Sequence, residues 1–144
     1  MASVHETFWL MQRYAFVGHS ASKPFPKLSY SAAKARGNVV YAIDPSVAEI
    51  DGDKTWPDLS ALPGPVDGVV LEVPAAETAA WVKAAADAGI AHVWIHMGRE
   101  TPEALAVAKE RGIHVRTGTC AVQYLDKRFP HNIHKLLRKA TGNW

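Results

Sequence analysis

Five short, largely apolar runs, set between helix-forming stretches, constrain this chain more than any other feature. They cover residues 14–17, 39–43, 68–73, 92–97 and 113–116; the first four are closed by Gly18, by Asp44-Pro45, by Pro74 and by Gly98. The runs are continuous rather than strictly alternating, the pattern of strands covered on both faces, so they predict a parallel sheet between helical layers. Helical patterns fill residues 25–36, 76–88 and 101–111, with Gly37, Gly89 and Gly112 standing just past their ends. Thr101-Pro102-Glu103 opens the last of these with a capping hydroxyl, a proline and an acid in the first turn. Right-handed crossovers then leave a doubly wound open α/β sheet as the architecture.

The 144 residues suit one domain over 1–144, with its core at about 14–124, large enough to bury a hydrophobic interior without staples. Additional helices are expected at 4–12 and, after Pro130, at 127–139, while Pro57 and Pro63 limit 55–62 to a short helix or turn. A formal charge of +2, with basic residues dispersed until the last turns, speaks against a nucleic-acid footprint. Cys120 is the only cysteine, so an internal disulfide and a cysteine-based metal site are both excluded. No apolar stretch reaches bilayer length, and the N-terminus with Glu6 does not read as a signal peptide. These features suggest a cytoplasmic protein.

In a sheet of this kind, ligands collect outside the carboxyl ends of the strands. The best candidate there is the loop Gly18, His19, Ser20, Ala21, Ser22, Lys23. Gly18 permits a tight turn, Ser20 and Ser22 add hydroxyls, Lys23 adds charge, and the following helix presents its N-terminus to a phosphate. The bland alternative is a strand-to-helix connection in which the glycine and serines serve only the turn. The dinucleotide fingerprint G-x-G-x-x-G is absent, since Ser20 and Lys23 stand where its second and third glycines belong. Asp44, ahead of Pro45, stands where an acid can take ribose hydroxyls, or it caps a turn. Pro74 after Val73 offers apolar surface beneath a flat ring, or simply stops a strand. His92 and His96 share one face of their strand, with His96 at the ligand end, and no third ligand makes them a metal pair. Arg99 by default is exposed. Cys120 is either a nucleophile or a small packing residue. No Ser-His-Asp order, acid pair or zinc spacing occurs.

Taken in order, Val17-Gly18-His19-Ser20 with Lys23-Pro24, residues 39–45, Pro65-Val66-Asp67-Gly68-Val69, residues 93–98 and Thr119-Cys120-Ala121-Val122-Gln123-Tyr124 resemble a known family. It is that of the small stand-alone CoA-binding proteins, related to the CoA-binding domain of the succinyl-CoA synthetase α subunit. The resemblance runs from about Tyr14 to Tyr124. It implies a Rossmann-like domain that holds coenzyme A or an acyl-CoA in an extended groove. Residues 18–22 would take the phosphates with Lys23 or Lys27 neutralising charge. The loop after Ile43 would border the adenosine end, and Val73-Pro74 would line the ligand, whose thiol arm runs toward Pro74 and His96, with Gly98 and Cys120 also at the ligand. The synthetase's phosphorylated histidine belongs to another domain, so ligase activity is not implied. The chain departs from the pattern at the glycine expected near 21–23, at Ser46-Val47 where a lysine is expected, and at Ala121 where proline follows the cysteine. Alternatives to pure binding are a small enzyme acting on a CoA thioester through Cys120 or His96, and a sensor that pairs with another protein. A homodimer or protein partner stays open.

Overall fold

The structure is a computed structural model that describes residues 7–23 and 25–117. Of the helix expected at 4–12, residues 4–6 lie outside the described residues, and 7–12 are helical only at Thr7-Phe8 before a turn and a bend lead into the first strand, so that helix is shorter than expected. The helix expected at 127–139 and the loop carrying Cys120 lie wholly outside the described residues.

Seven strands form one sheet in the order β3-β4-β2-β1-β5-β6-β7. The central strand β1 (Arg13–Gly18) pairs in parallel with β2 (Val39–Ile43) on one side and β5 (Gly68–Glu72) on the other, so Tyr14 lies opposite both Val40 and Gly68. Beyond β5 follow β6 (His92–Ile95) and β7 (His114–Arg116), also parallel. Three helices are described: α1 (Phe25–Ala35), α2 (Ala75–Asp87) and α3 (Pro102–Arg111). The chain winds outward from β1 through α1 to β2, then returns to β5 and winds the other way through α2 and α3. The expected doubly wound α/β architecture is therefore present.

One addition was not expected. Residues 49–56, outside every apolar run, form β3 (Glu49–Ile50) and β4 (Asp53–Trp56), an antiparallel hairpin whose second strand extends the parallel sheet beside β2. Asp51 (φ 52°) and Gly52 (φ 80°) make its turn. Positive φ at both central residues is the hairpin geometry that an Asp-Gly pair tolerates best. The stretch assigned to a short helix or turn at 55–62 thus begins in β4 and continues into a single 3-10 turn at Leu59–Ala61, capped by Asp58.

The period-two alternation of buried strands gives the sheet two different faces. Ala15, Val17, Val69, Leu71, Val93 and Ile95 pack toward Val82, Ala85, Ala104 and Ala108 of α2 and α3. Tyr14, Phe16, Val70 and Trp94 pack on the other side with Tyr30 and Ala33 of α1 and with Phe8 and Trp9. At the amino ends of the strands, Asp67 staples β1 to the start of β5. Its carboxylate accepts from Arg13 N (2.9 Å) and Arg13 Nη2 (2.9 Å), and hydrogen bonding to Arg13 holds it below its ordinary pKa. The α3 ends follow the sequence signals: Thr101 Oγ1 accepts from Ala104 N (3.1 Å), and Gly112 closes the helix at φ 70°.

Candidate functional site

The winding reverses between β1 and β5, where the first loop (19–23) and the Val73-Pro74 bend diverge. This topological switch point is where open α/β sheets form a crevice at their carboxyl edge. Gly18 shapes it. A Cβ there would run into the Pro26 ring and lie 3.0 Å from the Glu72 carbonyl oxygen, so only glycine lets α1 start this close to the sheet.

The loop itself is one tight turn, with Ser22 N and Lys23 N both donating to His19 O (3.0 and 3.1 Å). Its next amides are also engaged. Ser20 N donates to Asp44 Oδ2 at 2.8 Å and Ala21 N to Ser46 Oγ at 3.0 Å. Asp44 in turn accepts from Ser46 N (2.9 Å) and Ser46 Oγ (2.5 Å). Asp44 is 2% exposed. The structure thus brings Asp44 to the loop as its buttress, and the carboxylate expected to face a ribose is occupied by three protein donors. Pro45 beside it is exposed, as are Ala21, Ser22 and Lys27, while Ser20 is buried.

On the other flank of the crevice, Val73 is buried and Pro74 precedes α2 as its cap residue, without a side-chain cap bond. His19 reaches across from the first loop: its Nε2 lies 2.9 Å from both Glu77 Oε1 and Glu77 Oε2, in the first turn of α2. Trp81, one turn further along, places Nε1 at 3.4 Å from the same Oε1. Beneath the crevice, on the α1 face, Glu72 is fully buried and accepts from Ser29 Oγ at 2.7 Å. Its second oxygen has no hydrogen-bond partner among the described residues. Burial, only partly offset by that one bond, pushes its pKa up to about 8, so the carboxyl is neutral at pH 7.

His96 follows β6 and is 1% exposed, with its backbone N–H donating to Leu71 O. Gly98 beside it is exposed at φ 75°. Arg99 departs from its expected exposure. It is buried, its carbonyl accepts from Thr78 Oγ1 (2.7 Å), and burial lowers its guanidinium pKa. Between the first turns of α2 and α3 opens a cleft of about 310 Å³, lined by Ala75, Ala76, Ala79, Thr101 and Glu103. Two larger clefts, of about 480 and 470 Å³, lie beside β2 and β4 and at the amino ends of β5 and β6. Neither adjoins the switch point, so the carboxyl edge remains the better site. Sequence reasoning gave no role in the site to Glu72, Ser29, Ser46 or Glu77. Glu72 alone carried a signal, as the one acid inside an apolar run.

Comparison with known proteins gives the family and the fold. Residues 12–125 match the CoA binding domain family, and the chain belongs to that family. No curated protein matches it. Among solved structures it is similar to Prb, a protein redesigned for binding, with 25% identity and a TM-score of 0.76 over 83% of this chain and 86% of that one. A conserved hypothetical protein from Pyrococcus furiosus is 26% identical, with a TM-score of 0.70 over 78% and 97% of the two chains. A dinucleotide-forming acetyl-coenzyme A synthetase from Ca. Korarchaeum cryptofilum, in complex with phosphate and ADP, is 25% identical. Its TM-score is 0.63, and the match covers 78% of this chain but 27% of the synthetase. No helix among the described residues is long and apolar enough to cross a membrane.

Proposed function

We propose that this chain binds coenzyme A or an acyl-CoA in a groove across the carboxyl ends of β2, β1, β5 and β6, without a reaction of its own. The observation that carries the reading is the crevice between loop 19–23 and Val73-Pro74, at the point of winding reversal and inside the segment that matches the family. The adenosine end would lie along the loop after β2, beside exposed Pro45. The pyrophosphate would sit over loop 19–23 and the positive end of α1.

Because the amides of Ser20 and Ala21 already donate to Asp44 and Ser46, phosphate recognition falls to side chains. Lys23, Lys27 in the first turn of α1, His19 and the Ser22 hydroxyl are the donors in reach of that position. The thiol arm would pass Val73-Pro74 toward Gly98 and the alanine-lined cleft beside α2. The synthetase relative with phosphate and ADP supports the ligand class. A cytoplasmic setting, where CoA is abundant, fits this reading. The His96 ring is 1% exposed, which speaks against it as the base toward a thioester.

Calorimetric titration with CoA, dephospho-CoA, NAD and ATP tests the proposal. CoA should bind with the highest affinity of the four. An absence of heat with CoA at millimolar ligand would end it.

A further inference from the structure

The crevice at the switch point is bridged by a pair of side chains. His19 rises from the end of β1 and Glu77 from the helix after β5, so their contact spans the two strands between which the winding reverses. The same imidazole nitrogen lies 2.9 Å from both carboxylate oxygens. These side chains are 23% and 40% exposed, so solvent reaches both and neither is locked into the core. Asp44, the other carboxylate at this edge, is different: it is buried, and it holds two backbone amides and a hydroxyl.

Protein carboxylates therefore already engage two of the first-loop donors, the Ser20 amide through Asp44 and the His19 ring through Glu77. They differ in how firmly they sit. Removing Asp44 would strand the buried Ser20 amide, which is expensive. Dislodging Glu77 breaks one partly exposed side-chain pair, of the kind that contributes little net free energy. Trp81 Nε1, already 3.4 Å from Oε1, remains as a donor to the displaced carboxylate.

We propose that Glu77 sets the affinity and charge selectivity of the groove. Its carboxylate occupies His19 as an internal anion, and a phosphate of the ligand displaces it, so that His19 passes from Glu77 to the phosphate. The exchange favours phosphate esters, whose higher charge outcompetes a single carboxylate for the same imidazole. This inference rests on the reading that the groove takes CoA.

The test is calorimetric titration of the full chain with CoA, for the wild type, E77Q, H19A and the double variant. Gln keeps the shape at 77 and can still accept from His19, but it lacks the charge. E77Q should bind CoA roughly five- to tenfold more tightly, and H19A about tenfold more weakly. In the H19A background, E77Q should gain less than about twofold, because the contested partner is gone. A bridge that merely braces the loop predicts the opposite sign for E77Q. Wild-type binding that E77Q leaves unchanged or weakens overturns this inference and spares the CoA reading. A wild type silent toward CoA beside an E77Q that binds it supports the inference. Silence in both, with each variant shown folded by circular dichroism, overturns the CoA reading and the inference with it.

Discussion

The two faces of the sheet bury comparable strands by different chemistry. Toward α2 and α3 the contacts are aliphatic and small, with valines, leucine and isoleucine meeting alanines of both helices. Toward α1 they are aromatic: Phe8, Trp9, Tyr14, Phe16, Tyr30 and Trp94 form one cluster, with Trp9 and Trp94 centroids 5.1 Å apart. The aromatic face also carries polar groups. Tyr14 Oη donates to Phe8 O (2.7 Å), Tyr30 Oη to Asp53 Oδ2 (2.6 Å), and Glu72 sits under the crevice against Ser29. The difference teaches that one face supplies plain hydrophobic stability. The other ties the segment before β1, α1 and the hairpin to the carboxyl edge where the ligand groove lies.

The largest way to break this asymmetry is through pH. Glu72 is the buried acid of the aromatic face, and its pKa is pushed up to about 8 from 4.5. The folded chain keeps the proton while the unfolded chain releases it above 4.5. The contribution of the neutral carboxyl is therefore whole below that value and is lost as pH rises through about 8. Over this window stability should fall by up to roughly 5 kcal/mol on account of this group. Chemical denaturation between pH 4.5 and 9 reads it directly. E72Q should flatten that slope, and a variant as pH-dependent as the wild type would remove Glu72 as its source.

Next in size is a pair of truncations on one strand. Trp94 and Val93 are both fully buried but point to opposite faces. Trp94→Ala should cost about 3–5 kcal/mol, because it empties the centre of the aromatic cluster. Val93→Ala should cost about 2 kcal/mol, since small neighbours can close over a smaller cavity. Urea midpoints at constant m-value compare them. Equal losses would mean that the two faces are energetically alike.

Gly18 stands where the aromatic face meets the crevice. Its substitution by alanine pushes a methyl into the Pro26 ring, an overpacking cost of about 2 kcal/mol. If that contact is the cause, Pro26→Ala in the G18A background should return most of the lost stability in thermal unfolding. No recovery would place the effect in the backbone instead.

Much of the fold was legible from the sequence because parallel strands buried on both faces read as apolar runs, and because the α3 ends carry local caps. The β3–β4 hairpin was not, since Glu49, Asp53 and Lys54 make edge strands too polar to form such a run. The Asp51-Gly52 pair was the available clue. The site was legible as a set of loops but not as a set of bonds. Ser20 meets Asp44 across 24 residues and His19 meets Glu77 across 58. Neither pairing leaves a local pattern. Arg99 was misjudged for a related reason: a long side chain after a turn reads as exposed until the elements packed around it are known.

The smallest predicted effect isolates the polar handles of the aromatic face from its area. Tyr14 is fully buried, and its hydroxyl lies 2.7 Å from Phe8 O and 2.9 Å from Met11 O, fixing the segment that leads into β1. Tyr14→Phe keeps the ring and its contacts but leaves both carbonyls without this donor. The expected loss is about 1 kcal/mol, the usual net worth of such a hydrogen bond when its acceptors stay buried. Denaturant titration resolves a change of that size, and hydrogen exchange at residues 7–13 should rise with it. A loss near zero would mean that aromatic packing alone holds this segment, making the two faces more alike than their chemistry suggests.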